Sequence, residues 1–285
     1  MRDIGESAVL RGALVLLALA LIGLVLLLPL LSVFTEALAG GLRVFADAVT
    51  DPDALSAIRL TLLVAAIAVP ANTLFGLMAA WCITRFRFPG RRLLTVLIGL
   101  PFSVSPVISG MVYVLLFGAQ GWFGPYLSSL GIKIVFALPG IVLSTIFVTL
   151  PFVASQLIPL MDQEGIDEEE AALTLGANGW QTFRHVTLPK IRWALLYGVL
   201  LSNARSMGEF GAVAVVSGHI RGETNTIPLH VEILYNEYNI AAAFSVASLL
   251  AGMALLTIAL RSLLEWRQRR ALAAGSRVVA QQAAA

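Results

Sequence analysis

Charged residues are scarce in this sequence. They make up only 13% of the 285 residues, whereas hydrophobic residues make up 58%. A soluble globular chain typically carries about 25% charged residues, so this chain has about half the usual share of solvating side chains. Its mean hydropathy is +0.87, which predicts an integral membrane protein. The formal net charge of +2 is too small to indicate a protein that binds nucleic acid.

Cysteine and histidine are also rare, and this narrows the possible chemistry. The single cysteine, Cys82, excludes an internal disulfide and a cysteine-based metal site. His185, His219 and His230 are scattered and lack the spacing of metal ligands. The sequence contains no GxxxxGKS/T phosphate-binding loop, so the chain is not expected to hydrolyse ATP. We predict no catalytic residue and no metal site, and we do not expect an enzyme.

Long hydrophobic runs divide the chain and predict an all-α membrane protein with six transmembrane helices. The first hydrophobic run, residues 13–34, would be roughly 33 Å long as a helix. It exceeds the apolar region of a secretory signal, which is about 7–15 residues long, so we interpret it as an uncleaved span. Pro101 and Pro106 predict a kink in the third span, which either faces a pathway or packs against a neighbour. The predicted spans are 13–34, 58–83, 93–117, 138–158, 193–216 and 241–263.

The placement of positive charge predicts the orientation in the membrane. Most of the 19 lysines and arginines fall at the termini, in the turn after span two and in the loop between spans four and five. Cytoplasmic loops are enriched in these residues, so both termini and that loop are expected to be cytoplasmic. The remaining five are Arg43, Arg59, Lys133, Arg205 and Arg221, on the opposite face or inside a span.

The segment 164–192 is the most polar part of the chain, and it predicts a folded helical hairpin between spans four and five. Asp167 and Glu170 have the spacing of a capping box, and Gly176 is suited to end the helix. A second helix is expected from Trp180, and Pro189 is expected to open the next helix at its first turn. Ala171, Ala172 and Leu175 are expected to share a face that lets a partner approach closely. A polar, folded insert of this kind is typical of a docking surface for a soluble partner.

Charged side chains inside the fifth predicted span indicate a second functional region. Arg205 would lie near the middle of the bilayer, where such a residue costs roughly 2.5–3.5 kcal/mol and should face protein or water. Glu209 is four residues further on and can meet it on one face of a helix. We interpret Asn203, Arg205, Ser206 and Glu209 as lining a pathway or closing a gate. The alternative is a self-neutralised pair that joins two pore-forming subunits.

The polar insert resembles the permease subunits of bacterial ABC importers. Their signature is EAA, three residues, Gly, nine residues, then Ile or Val, any residue and Leu-Pro. This resemblance implies that the insert couples the membrane domain to a separate ATP-hydrolysing subunit. It assigns that coupling to Asp167, Glu170, Ala171, Ala172, Leu175, Gly176, Val186, Leu188 and Pro189.

The run from Asn203 to Asn239 narrows the resemblance to sulfate/thiosulfate importer permeases, most of all to their W-type subunit. The resemblance implies an ABC transmembrane type-1 permease domain over 58–263, with a coupling loop at 159–192. Residues 1–57 would form a cytoplasmic tip, the first span and an outward loop, and 264–285 a cytoplasmic tail. The protein would lie in the bacterial inner membrane.

The same resemblance implies an assembly. Its members would be two ATP-binding subunits, a second related permease, a periplasmic sulfate-binding protein and this chain, which would bind no cofactor. ATP and Mg²⁺ would be bound by the partner ATPase. Three alternatives remain open: a molybdate or tungstate ABC permease, an ion-coupled secondary anion transporter that uses Arg205 and Glu209 as a relay, and a membrane scaffold that transports nothing.

Overall fold

A computed structural model describes the backbone of residues 8–283 and the side chains of residues 10–260, Ser262, Leu263 and Trp266. Arg2 and the five tail arginines that contributed to the predicted orientation (Arg261, Arg267, Arg269, Arg270 and Arg277) lie outside the described side chains. All regular secondary structure in the described range is helical, which confirms the predicted class. The helices are α1 (Ala8–Ile22), α2 (Leu28–Ala39), α3 (Gly41–Thr50), α4 (Pro52–Arg85), α5 (Arg91–Ser103), α6 (Pro106–Phe117), α7 (Gly124–Ser129), α8 (Leu138–Thr149), α9 (Pro151–Glu164), α10 (Asp167–Thr174), α11 (Gly179–Thr182), α12 (Leu188–Met207), α13 (Gly211–Ser217), α14 (Ile227–Asn236) and α15 (Ile240–Ala283), with π-helical segments Gly23–Leu27 and Phe183–Thr187.

Four helical stretches are long and apolar enough to cross a membrane. They match the predicted spans one, two, four and six, and α15 continues as a helix through the predicted tail as far as Ala283. A fifth candidate is added if α5 and α6 are counted as one broken span. The four stretches are Leu10–Ala39, Pro52–Arg85, Leu138–Glu164 and Ile240–Leu260.

The third predicted span is broken rather than merely kinked. The axes of α5 and α6 differ by 107° across a short break at residues 104–105. Pro101 lies inside α5, and Pro106 begins α6. Proline removes a backbone donor and clashes with the preceding turn, so two prolines five residues apart account for the sharp bend.

The fifth predicted span, 193–216, is also divided. The helix α12 ends at Met207, and α13 begins at Gly211. Although α12 has 20 residues, it is not among the helices of the described range that are apolar enough to cross a membrane. Lys190, Arg192 and Arg205 lie within α12 and lower its hydropathy.

The helices α4, α9 and α12 pack together and form one half of the core. Val153 of α9 is fully buried between two glycines of its neighbours. A Cβ built on Gly76 of α4 would lie 2.7 Å from the Cβ of Val153, and one built on Gly198 of α12 would lie 3.0 Å from its Cα. The absence of side chains at these glycines therefore lets three helix backbones approach closely.

The other half of the core joins α4 to α8, α13 and α14. Its buried members include Leu60, Val64, Ile141, Val213 and Leu229. The helix α14 contributes the buried residues Ile227, Leu229 and His230. Its first residue, Ile227, donates its backbone N–H to the Thr61 hydroxyl at 2.9 Å, so α14 is fixed directly to α4.

Replacing Gly76 with alanine should destabilise the protein, although alanine favours helices. The added methyl group would meet Val153, which is fully buried, and the backbone nitrogen of Ala154 at 3.0 Å. Overpacking of this kind costs about 1–3 kcal/mol, so we expect the unfolding temperature of the detergent-purified protein to fall by about 2–6 °C.

Gly252→Ala is the matched control for Gly76→Ala. Gly252 lies in α15, and a Cβ built on it would have no neighbouring atom within 4 Å, so this variant should keep or slightly raise the unfolding temperature. Equal unfolding temperatures for the two variants would contradict the close approach at Val153.

Candidate functional site

The polar insert folds as a helical hairpin, here called the polar hairpin (residues 165–187). Its first helix, α10, ends in a Schellman motif. The N–H of Gly176 donates to the carbonyl of Leu173, and the N–H of Ala177 donates to that of Ala172, both at 3.0 Å. Gly176 has a φ of +89°, a conformation that glycine adopts without steric cost. The predicted helix end at Gly176 is confirmed.

The predicted capping box at Asp167 and Glu170 is wrong. Ile166 is the N-cap residue, no side chain caps α10, and Asp167 is already helical. The acids of the first turn therefore act through the helix dipole rather than as caps. A capping box is found instead at the start of α11, where the side chains of Asn178 and Gln181 each accept the other's backbone N–H at 2.9 Å.

The first helix of the polar hairpin is largely exposed. Glu169 and Ala172 are its only partly buried residues, whereas Asp167, Glu170 and Ala171 are exposed. Leu175 was expected to share a face with the two alanines, but it follows the helix end and is 88% exposed. Other large apolar side chains that the hairpin exposes are Ile166, Leu173 and Trp180. Four large apolar side chains are therefore exposed on an otherwise polar segment.

The last three residues of the signature lie where the polar hairpin joins α12. Val186 is partly buried in the π-helical segment, and Leu188 packs against the buried cluster of α9 and α12. Pro189 is exposed in the first turn of α12, as predicted. The signature is therefore divided in space, because its EAA end faces solvent and its Leu-Pro end is anchored to the core.

A partly buried polar cluster attaches α10 to the helix bundle. Nε of Arg85, the last residue of α4, lies 2.7 Å from a carboxylate oxygen of Glu169. The contact is an ion pair rather than an aligned hydrogen bond. The Thr187 hydroxyl donates to the other carboxylate oxygen at 2.8 Å, and Arg85 also donates to the carbonyl of Met161 at 3.0 Å. The two charged side chains are only 9% and 12% exposed.

Two further contacts hold the polar hairpin at its margins. Lys190 lies 2.9 Å from Glu168 and 3.5 Å from Glu164, and its hydrogen bond to Glu168 raises the pKa of Lys190 above its usual value. On the other side, the ring of Phe183 stacks between Trp81 of α4 and the exposed Trp180, with centroid distances of 4.7 and 5.7 Å. The polar hairpin is thus attached to α12 through Lys190 and to α4 through Trp81.

The structure brings Arg205 and Glu209 together near the break after α12. Their nearest N and O atoms are 2.6 Å apart. Glu209 is 2% exposed, and its second carboxylate oxygen accepts the N–H of Ala212 at 3.0 Å. Glu209 therefore neutralises an arginine and caps the start of α13. The Arg205 side chain is 34% exposed, so it remains accessible from one side.

The other two predicted pathway residues point elsewhere. The Ser206 hydroxyl is buried and lies 3.4 Å from that of Thr149, which accepts a hydrogen bond from the Asn72 amide at 2.7 Å. These contacts link α12, α8 and α4. The Asn203 amide is 3.8 Å from the sulfur of Met207. Ser206 thus belongs to a buried polar link between helices, separate from the Arg205–Glu209 pair.

Sequence reasoning did not single out several of these residues. Arg85 counted only toward the positive charge in the turn after span two, and Glu169 lies in the polar insert without an assigned role. Asn72 and Thr149 lie inside apolar runs, where an isolated polar residue is itself a signal, because it needs a partner within the protein. No sequence signal pairs Arg85 with Glu169. Among the residues that the structure describes, no group of three His, Cys, Asp or Glu side chains could hold a metal ion.

Comparison of the sequence with protein families and with curated proteins gives a consistent result. The model of the family described as "Binding-protein-dependent transport system inner membrane component" matches residues 72–271. The sulfate transport system permease protein CysW of Escherichia coli strain K12 is 53% identical over 85% of this chain and 84% of its own length. The sulfate transport system permease protein CysT of Salmonella typhimurium strain LT2 is 38% identical over 85% and 87%.

A solved structure has the same fold. It is a chain of a bacterial alginate ABC transporter in complex with an alginate pentasaccharide-bound periplasmic protein. The TM-score is 0.76, and the match covers 90% of this chain and 94% of the other, at 17% sequence identity. At that identity, the similarity concerns the fold alone.

Proposed function

The chain belongs to the family of binding-protein-dependent transport system inner membrane components, and we propose that it is the translocating permease subunit of an ATP-driven importer of sulfate and thiosulfate. One observation carries this proposal. The chain is 53% identical to a sulfate permease over more than four fifths of both lengths.

The partners follow from the same relatives. Because the chain also matches CysT at 38% identity, we propose that a CysT-like chain completes the membrane part as the second permease of a heterodimer. Two ATP-binding subunits supply the energy and bind ATP and Mg²⁺, and a periplasmic sulfate-binding protein delivers the anion. A periplasmic protein bound to the alginate transporter is the precedent for such delivery.

We propose a six-span topology in the bacterial inner membrane, with both termini and the polar hairpin in the cytoplasm. The broken pair α5 and α6 would form the third span. The helix α12, together with α13, would form the fifth, since it packs inside the bundle against α4 and α9. An even number of spans brings both termini to the side on which lysine and arginine are concentrated.

The exposed side of α10 is the proposed docking surface for an ATP-binding subunit. Glu170 is solvent-exposed there, together with Leu173 and Leu175. Closure of the two ATP-binding subunits around ATP would move the hairpin and switch the cavity between outward and inward access. Arg205 would act in the pathway or gate, with Glu209 as its counter-charge, and Asn203 and Ser206 would support that segment.

The proposal is tested by ATP-dependent uptake of labelled sulfate into vesicles that contain this chain and its purified partner subunits. Unlabelled molybdate serves as competitor. We expect uptake that requires ATP and is little affected by molybdate. Strong inhibition by a low concentration of molybdate would indicate that the substrate is a larger oxyanion such as molybdate, not sulfate. Uptake driven by an ion gradient without ATP would contradict the proposed coupling to an ATPase.

A further inference from the structure

Four separate parts of the chain meet at Arg85. Its guanidinium contacts Glu169 of α10 and the carbonyl of Met161 in α9, and Glu169 in turn accepts a hydrogen bond from Thr187, just before α12. Among the described residues, the pair of Arg85 with Glu169 is the only ion pair between α10 and α4. The junction is small, specific and shielded from water.

We infer that Arg85 is a positioning residue that transmits movement of α10 to α4 through Glu169. The inference rests on the proposed function, which supplies the ATP-binding subunit that moves α10. Under this inference, the adjacent residues Glu169 and Glu170 have different functions. Glu170 faces the docking partner, whereas Glu169 faces the membrane bundle and holds α10 on it.

Burial makes this link stronger than the other ion pairs of the hairpin. An exposed pair contributes little, because water competes for both charges. The Glu168 side chain of the Lys190 pair is 64% exposed. In contrast, the removal of one partner from a shielded pair leaves the other charge uncompensated, which is strongly unfavourable. A lysine at position 85 would keep the charge but lose the planar fork that reaches both Glu169 and the Met161 carbonyl.

The helix α4 is suited to carry the movement away from the hairpin. It runs continuously from Pro52 to Arg85, a length of roughly 50 Å. Near its other end, Ala54 and Ala57 pack against Ile227, and Thr61 accepts the backbone N–H of that residue. A displacement at Arg85 would therefore reach the start of α14 through one helix.

The test compares Glu169→Gln with Glu168→Gln in the reconstituted four-component transporter, with ATP hydrolysis and labelled sulfate uptake measured together. We expect Glu169→Gln to raise the ATP consumed per sulfate imported by about tenfold, with the ATP-binding subunits still bound. Glu168→Gln, which removes an exposed charge, should stay within about twofold of the unmodified protein. Arg85→Gln should raise the ATP consumed per sulfate imported as much as Glu169→Gln does, and Arg85→Lys should raise it less. The double substitution Arg85→Glu with Glu169→Arg should bring this ratio most of the way back to that of the unmodified protein.

A second measurement does not depend on transport. Amide hydrogen exchange of the purified chain should be about tenfold faster in α10 for Glu169→Gln and Arg85→Gln, and unchanged for Glu168→Gln. Loss of the ATP-binding subunits from the Glu169→Gln complex would overturn the inference, because it would place Glu169 at the docking surface. An unchanged ratio in an active transporter would overturn it as well. If the unmodified complex shows no ATP-dependent uptake while the exchange pattern is as expected, the proposed function fails and the attachment of α10 by Arg85 stands.

Discussion

Replacing Gly176 with aspartate is expected to lower ATP-dependent sulfate uptake by at least about tenfold, while the protein still inserts into the membrane. Gly176 ends α10 with a φ of +89°, and L-residues in that conformation lose roughly 1–2 kcal/mol. The substitution therefore distorts the Schellman motif and adds a charge beside the exposed Leu175. The measurement is uptake in reconstituted vesicles, together with the amount of protein in the membrane fraction.

Two controls separate the causes of this loss. Gly176→Asn adds a side chain that tolerates a positive φ but carries no charge, so it should retain most of the uptake. Gly131→Asp creates the same charge at a glycine with a φ of +68° in the loop before α8, far along the chain from the polar hairpin. Both Gly131 and Gly176 have open space around a built Cβ, so neither substitution creates an internal clash. Normal uptake by Gly176→Asp would contradict the coupling role of the polar hairpin.

Two helix boundaries of the polar hairpin could be predicted from the sequence because their signals are local. A glycine at the helix end and a proline in the first turn of the next helix act within a few residues. Gly176 and Pro189 therefore lie where they were expected. The family resemblance based on this segment and on the run after Asn203 is confirmed by the comparisons. The predicted cap at Asp167 failed because the chain enters α10 one residue earlier, with Ile166 as the N-cap residue.

The pairing of Arg85 with Glu169 could not be predicted from the sequence. The two residues are separated by two predicted spans, and only the packing of α4 against α9 brings their ends together. The same holds for the link between Asn72 and Thr149. A polar residue in an apolar run shows that a partner is needed, but its identity depends on helix packing that no local pattern contains.

The breaks within two of the predicted spans could not be predicted from hydrophobicity alone. The runs 93–117 and 193–216 are apolar enough to suggest continuous spans, with a kink predicted in the first, yet both are broken in the structure. In the first, prolines produce the break, and they were visible in the sequence. In the second, the break coincides with Glu209, whose carboxylate accepts a backbone N–H of the next helix. A charged residue inside a predicted span thus lies at a helix break.

Replacing Glu209 with glutamine is expected to lower sulfate uptake by at least about tenfold while the complex remains assembled. Glutamine has nearly the same shape, and its amide oxygen can still accept the N–H of Ala212, so the start of α13 is preserved. The lost interaction is the ion pair with Arg205. Its removal costs roughly 3–5 kcal/mol in a fully buried pair and less here, because Arg205 is one third exposed. Uptake and co-purification of the partner subunits are measured on the same preparation.

A double substitution decides between the two interpretations of this pair. If Arg205 and Glu209 only neutralise each other, then Arg205→Met combined with Glu209→Gln removes both charges and should recover uptake, since an ion pair can be replaced by neutral residues at little cost. If Arg205 itself acts in the pathway or gate, the double variant should remain as inactive as Arg205→Met alone. We expect the second result, because Glu209 is buried whereas the Arg205 side chain is accessible from one side. Dissociation of the complex in Glu209→Gln would instead show that the pair joins the subunits, and Arg205 would then have no role in the pathway.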